Sequence, residues 1–395
     1  VLARKPLSVL TTALVLSVSV LAACSGERDS LSELEGERTP SVERSVGFDG
    51  NVVRLGVIAD ITGPGGTLDR ARLTGVETYW SDVNTQGGLG GRYVVELDIL
   101  DHRGDPQIAE QAAPGLLEKV VALTFVNETA TGAVHPFLVA EQALGVVPTS
   151  TLDWENDPRF LTHVPPIEAV VLALFENQPS PNWCVITDGS PIGIATRNAS
   201  MRAAEVAQAQ NVTLIEVGED LNSATSAVAC GKVLVEVAGD FQIEAIDSLP
   251  ANREIYVRAG SAAAMGRTDL QFAYLDSGPA WNVDSSEGMR LFLAALLRHA
   301  PDVQPDTRVR DGYVSQIRLH QLLEQAVAEG DLRRPTLFAA SESQAGIDML
   351  GLAEQRLQPR NFNIWFSDNQ GDVSDQRGWQ LEGQLVTENV DALTN

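Results

Sequence analysis

After residue 50 the chain alternates between two hydrophobic rhythms. Residues 52–59, VVRLGVIA, form an apolar run of strand length. Residues 68–83 repeat apolar side chains at helical spacing, with Leu73, Val76, Tyr79 and Trp80 along one face. A turn cluster at 84–92, NTQGGLGGR, leads into a second strand, YVVELDIL. Residues 101–119 predict a loop and then a helix, which Pro114 should kink or restart. A strand at 121–126, a helix at 135–144 and a strand at 146–149 continue the series. Strands separated by helices imply crossover connections and a parallel sheet.

The rhythm breaks at 153–166, DWENDPRFLTHVPP, which is rich in turn formers and ends in a double proline. Residues 162–166 read as a crossing between two lobes, because the alternation restarts behind them. Helices are predicted at 167–178, 194–210 and 224–238, and strands at WCVITD, VTLIEV, EIYVRAG and QFAYLDSG. Two strong helices follow, at 291–299 and 313–329, the second with Ile317, Leu319, Leu322, Leu323 and Val327 on its apolar side. The tail, NIWFSDNQGDVSD and WQLEGQLVTENV, reads as two strands with a turn between them.

The first segment follows other rules. Arg4 and Lys5 precede an apolar stretch at 7–20 that is short for a membrane span and ends in LAAC, residues 21–24. Small residues before a cysteine, directly after an apolar core, mark a signal peptide. This version resembles the lipobox of bacterial lipoproteins, which makes 1–23 the signal and Cys24 the lipidated first mature residue. Residues 24–50 are polar and acidic without periodicity, and read as a disordered tether. Two further cysteines remain, Cys184 in a strand-like run and Cys230 in a helix-like run. Outside the cytoplasm they could form a disulfide or stay as buried thiols.

Size and charge narrow the class. A chain of 395 residues exceeds the roughly 250–300 at which single cores stop growing, so two lobes are expected. The net charge of -25 opposes binding to phosphate backbones, which argues against a nucleic-acid partner.

In open parallel sheets, ligands bind beyond the carboxyl ends of the strands. The loops there read ITGPGGT, ETATG and STLDW in the first half, and DGSPIG, AGSAA and LDSG in the second. They are small, hydroxyl-bearing and glycine-containing, suited to hydrogen bonding a small polar solute. The glycine loop is not a nucleotide cradle. Gly63 and Gly65 begin a dinucleotide pattern, but Leu68 stands where its third glycine belongs, and no lysine occurs between Lys5 and Lys119 to complete a phosphate loop. Zinc-protease, C-x-x-C and G-x-S-x-G patterns are also missing, and the five histidines are scattered. Glu128 at a strand end could serve as a general base, yet no nucleophile pattern sits beside it. No cofactor, metal or enzymatic activity is expected.

The order of these features resembles one family. RLGVIADITGPGG, then LTGVETYWSDVNTQGGLGGR, ELDILDHRGDPQIAEQAAPGLLEK and LTFVNETATGAVHPFLVAEQALGVVPTSTLDW are similar to the periplasmic-binding-protein type I family, above all its branched-chain amino acid and amide-binding members that serve ABC importers. WCVITDGSPIGIATRNASMRAAE looks like the family's second-lobe opening. The resemblance implies an α/β fold: two doubly wound parallel-sheet lobes joined by a three-crossing hinge, with the ligand cleft between them. Lobe 1 would hold 51–165 with 288–344, and lobe 2 would hold 166–287 with 345–395. Thr131, Ser150 and Thr151 fall where members bind the ligand's carboxylate or amine, beside Glu128 and Thr129. Gly66, Thr67 and Leu68 would line the first loop, with Leu68 where amino-acid binders often carry an aromatic residue. Ile192 and Ser261 fall at or near positions that are often tyrosine. Asp276 could supply the acid that pairs with a ligand amine, and Asp188 and Ser190 would close from the second lobe. The implied protein is a monomer, lipid-anchored on the extracytoplasmic face of a bacterial membrane, that captures an amino-acid- or amide-like solute for ABC permease subunits. The alternative is a sensing or scaffold lipoprotein with the same fold and no transport.

Overall fold

The first sheet is fully parallel. Its strands are β1 (Val52–Ala59), β2 (Val94–Asp101), β3 (Leu123–Phe125), β4 (Gly145–Val146) and β5 (Phe160–Leu161), in the order β2-β1-β3-β4-β5. The computed structural model describes residues 41–148, 151–206, 211–217, 229–237, 241–258, 269–279, 286–343, 347–353, 361–367 and 379–386. Among these, the helices of the first half are α1 (Gly66–Thr85), α2 (Pro106–Leu117), α3 (Thr131–Glu141) and the short α4 (Leu152–Glu155). Pro114 lies inside α2 without ending it, and Asp105 caps the helix by accepting from the Gln107 amide at 2.8 Å. The turn-rich stretch 153–166 hides β5, whose two residues pair with β4.

Beyond β5 the chain passes to a second sheet, returns, and passes again. α5 (Ile167–Asn177), β6 (Asn182–Thr187), α6 (Pro191–Val206), β7 (Asn211–Glu216), β8 (Lys232–Glu236), α7 (Phe241–Asp247), β9 (Glu254–Arg258) and β10 (Gln271–Asp276) come first. The return brings α8 (Glu287–His299), α9 (Thr307–Glu329) and α10 (Arg334–Ser343), and β11 (Asn361–Ser367) and β12 (Trp379–Val386) close the second sheet. Its order is β12-β11-β10-β9-β8-β6-β7, with β11 antiparallel to both its neighbours, β10 and β12, and the other pairs parallel. The chain is thus an α/β protein of two lobes linked by three passages, one sheet fully parallel and the other parallel except at β11.

The helix expected at 224–238 is corrected by β8. Its Val233, Leu234 and Val235 are all buried, because both faces of this central strand are covered. A continuous apolar run lacks the alternation that separates a strand from a buried helix. Cys230 precedes β8 rather than sitting in a helix, and it forms a disulfide with Cys184 of β6, with Cα atoms 5.6 Å apart.

The return segment belongs with the first sheet. α9 packs along α1, and Leu73, Val76, Tyr79 and Trp80 join Val309, Tyr313, Ile317 and Leu323 in one core. Gly75 faces the Val309 carbonyl, and Gly312 faces the Arg72 backbone, so a Cβ at either would push the helices apart. Within this seam Trp80 Nε1 and Thr124 Oγ1 both donate to Gln316 Oε1, at 3.0 and 3.2 Å. Ile347, Met349 and Leu352 join the same core, past the expected boundary at 344. Two residues of the stretch 24–50, read above as a tether, pack onto the fold. Val42 and Phe48 are buried in this core, and Phe48 meets the Tyr93 ring edge-on at 4.9 Å. Cys24 and the signal segment lie outside the described residues.

Candidate functional site

The glycine loop after β1 is closed on itself. The two carboxylate oxygens of Asp60 accept from the Gly63 and Gly65 amides, both at 2.7 Å. Asp101, at the end of β2, accepts from the Ile61 amide at 2.9 Å and the Thr62 hydroxyl at 2.6 Å. Asp69 accepts from the Asp60 amide at 2.7 Å and from the Asn127 side chain. Carboxylates of the chain thus stand where an anion would sit in a phosphate cradle. The Gly66 and Leu68 amides donate to the Gly63 and Gly65 carbonyls, at 3.1 Å each. The Leu68 side chain is buried and Thr67 is exposed. Burial pushes the Asp69 carboxyl up to about 7, with Arg72 pulling against it.

A cavity of ≈ 570 Å³, counting its open mouth, lies between the lobes. Arg72, Pro148 and Asp311 line it from the first lobe, and Ile192, Arg258, Leu275, Asp276, Ser277 and Phe362 from the second. Val164 and Pro165 of the first crossing close one side, with Ile167 and Val170 of α5 behind them. Of the expected site residues, Ile192 and Asp276 reach this wall. Asp188 accepts from the amide and hydroxyl of Ser190, and the Ser190 hydroxyl accepts from the Gly193 amide at 3.1 Å, so this pair shapes the start of α6. Thr151 caps α4, accepting from the Trp154 amide at 3.3 Å, and the Thr129 amide donates to Asn127 Oδ1 at 2.9 Å. Thr131 opens α3 and is buried with its hydroxyl lacking a hydrogen-bond partner. Ser150 and Ser261 lie outside the described residues.

Two arginines that the sequence did not single out join the lobes. Arg258, at the end of β9, forms a two-pronged pair with Glu236 of β8 at 2.7 and 2.6 Å, and lies 3.9 Å from Glu128 of the other lobe. Burial pulls the guanidinium's pKa down, but Glu236 and Glu128 push it up further, so Arg258 stays charged. Arg310, on α9, reaches across to Asp276, with Nη2 2.7 and 2.8 Å from the two carboxylate oxygens. It also contacts Asp311 at 2.9 Å and donates to the Pro279 carbonyl. Gly278 leaves room for this guanidinium, since a Cβ there would stand 3.1 Å from Arg310 Cζ. His163 in the first crossing is buried with neither ring nitrogen hydrogen-bonded, and burial pushes its pKa down to about 4.

This arrangement can hold and enclose a small molecule through contacts from both lobes. Among the described residues no group of three His, Cys, Asp or Glu side chains could hold a metal ion, and no helix is long and apolar enough to cross a membrane.

Comparison with known proteins agrees with this geometry. Residues 52–229 match the family model for the periplasmic binding protein. By sequence, no curated protein matches the chain. Among solved structures, a fatty acid ABC transporter substrate-binding protein from Thermomonospora curvata is similar at 18% identity, with a TM-score of 0.75, covering 90% of this chain and 96% of that one. A branched-chain amino acid ABC transporter protein from Thermus thermophilus with bound valine is similar at 14% identity and a TM-score of 0.71, covering 86% and 97%. A leucine-binding protein from Thermotoga maritima shows 17% identity and a TM-score of 0.68, covering 85% and 99%. Residues 52–229 are thus similar in sequence to the periplasmic binding proteins, and nearly the whole chain shares its fold with these solved ABC-transporter proteins.

Proposed function

We propose that the protein is a lipid-anchored solute receptor on the extracytoplasmic face of a bacterial membrane. It captures a small polar solute, amino-acid- or amide-like, by closing its lobes, and delivers it to the permease subunits of an ABC importer. One observation carries this reading: the cavity is walled from both lobes and from the first crossing, so a bound molecule favours the closed arrangement. Substrate-binding proteins of ABC transporters with the same fold support it. Capture is non-covalent, with no catalytic step.

A thermal-shift screen of the full chain against amino acids, amides, urea, short peptides and fatty acids tests the proposal. Binding to the native state raises the midpoint for at least one solute. A flat response across the panel rejects solute capture and favours the second reading, a scaffold or sensor that uses the fold without transport. That reading draws on the arginine–carboxylate pairs that already tie the lobes together. The anchor has its own test. Replacing Cys24 should release the mature protein from the membrane fraction, and retention there would sink the lipid assignment.

A further inference from the structure

The cleft charges are not equally available to a ligand. Asp276 and Asp311 are the two carboxylates on the cavity wall, and a single guanidinium, Arg310, engages both. Arg310 is itself buried, with a side-chain exposure of 1%, and also donates to the Pro279 carbonyl. A ligand ammonium seeking Asp276 would have to displace this buried cation from a two-oxygen contact and leave it with Asp311 and the Pro279 carbonyl alone. The place for an amine is therefore filled by the protein.

The opposite holds at Arg258. Glu236 takes one hydrogen each of Nε and Nη2, at 2.7 and 2.6 Å, which leaves Nη1 and the second Nη2 hydrogen for another acceptor. Glu128 of the other lobe lies 3.9 Å from Nη2, beyond hydrogen-bonding distance. This is a loose contact between lobes, and it breaks when they part. Apart from Arg72 and Ser277 the remaining wall is apolar, with Ile167, Val170, Ile192, Leu275 and Phe362 on it.

We infer that the solute is a carboxylic acid with a compact apolar body and no ammonium group, held by Arg258 at the position that Glu128 approaches. The inference rests on the solute-capture reading above and narrows it from amino-acid- or amide-like solutes to simple acids. Glu128 acts as an internal competitor: its carboxylate partly satisfies Arg258 in the empty cleft and is displaced by the ligand's. The apolar body packs against Ile192, Leu275 and Phe362, and Arg310 keeps Asp276 from repelling the acid.

Three molecules with one carbon skeleton separate the alternatives: 4-methylpentanoate, 4-methylpentanamide and leucine. Calorimetric titration of the full-length protein should show the acid binding at least about tenfold tighter than the amide or leucine. Glu128→Gln should tighten the acid severalfold by removing the competitor, and leave the amide unchanged. Arg258→Gln should abolish the preference for the acid. Because that variant strands Glu236, Arg258→Lys serves beside it, retaining the charge and part of the preference. Leucine or the amide binding as tightly as the acid would overturn the inference, as would an acid affinity indifferent to Glu128→Gln. Silence from all three also overturns it. Solute capture itself fails only if the wider panel is silent as well.

Discussion

The glycine loop at 60–65 and the arginine pairs at Arg258 and Arg310 occupy the same edge of the molecule and do opposite things. The loop has the composition of a ligand cradle, yet Asp60 and Asp101 consume its amides. The arginines stand in stretches with no ligand-like composition, yet they span the cleft, Arg258 lining its cavity and Arg310 holding the two carboxylates that line it. Small polar loops advertise hydrogen-bonding capacity, but buried donors are satisfied within the fold unless a ligand is there to take them. The loose contact of Arg258 with Glu128, drawn from separate lobes, stays exchangeable, because lobe movement can separate it.

The largest effect is expected on the arginine side. Arg310→Met leaves Asp276 buried without its counter-ion, and urea unfolding should show a loss of about 3–5 kcal/mol. A loss below about 1 kcal/mol would mean that the pair contributes little to holding the lobes.

The loop side carries a titration of comparable size. Asp69 has an ordinary value of 3.8 and is pushed up to about 7 in the fold by burial. Between these values the native state keeps a proton that the unfolded chain has released. Stability from this group is therefore complete below the lower value and is lost as pH rises through the upper one, by about 4 kcal/mol across the window. Asp69→Asn should flatten that slope in unfolding series run between about pH 4 and pH 7. An unchanged slope would place the titration elsewhere.

His163, at the crossing, has the reverse sign. Burial lowers it from 6.5 to about 4, so the native state lacks a proton that the unfolded chain binds in between. Stability is then lost as pH falls through that range, by about 3 kcal/mol. His163→Phe should remove this acid sensitivity, and an identical acid midpoint in the variant would contradict the assignment. The smallest effect belongs to the glycine loop. Asp60→Ala strands the Gly63 and Gly65 amides and should cost about 2 kcal/mol of stability, while changing solute affinity far less than Arg258→Gln does. The opposite ranking of affinities would make the loop a binding element after all.

Much of the fold was legible because its local signals agree. Leu73, Val76, Tyr79 and Trp80 gave α1 by spacing, and the double proline at 165–166 marked the first crossing. β8 was misread because a strand covered on both faces shows no alternation, and β5 because two residues carry no periodicity. The site was less legible. Ile192 and Asp276 were reached through family resemblance. Arg258 and Arg310 were missed because their partners lie far along the chain, 22 residues away for Glu236 and 34 for Asp276, and nothing local announces a long-range ion pair. A charged residue ending an apolar strand, as Arg258 ends EIYVR, is the one signal that would have found either.

Hydrogen exchange of the full chain, with and without a saturating solute that raises its thermal midpoint, tests the central claim most directly. Capture between the lobes predicts added protection at 162–167 in the first crossing, at 254–258 in the second lobe and at 307–313 in the first, all in the same experiment. Protection confined to one lobe, or to surfaces away from the cleft, would contradict it.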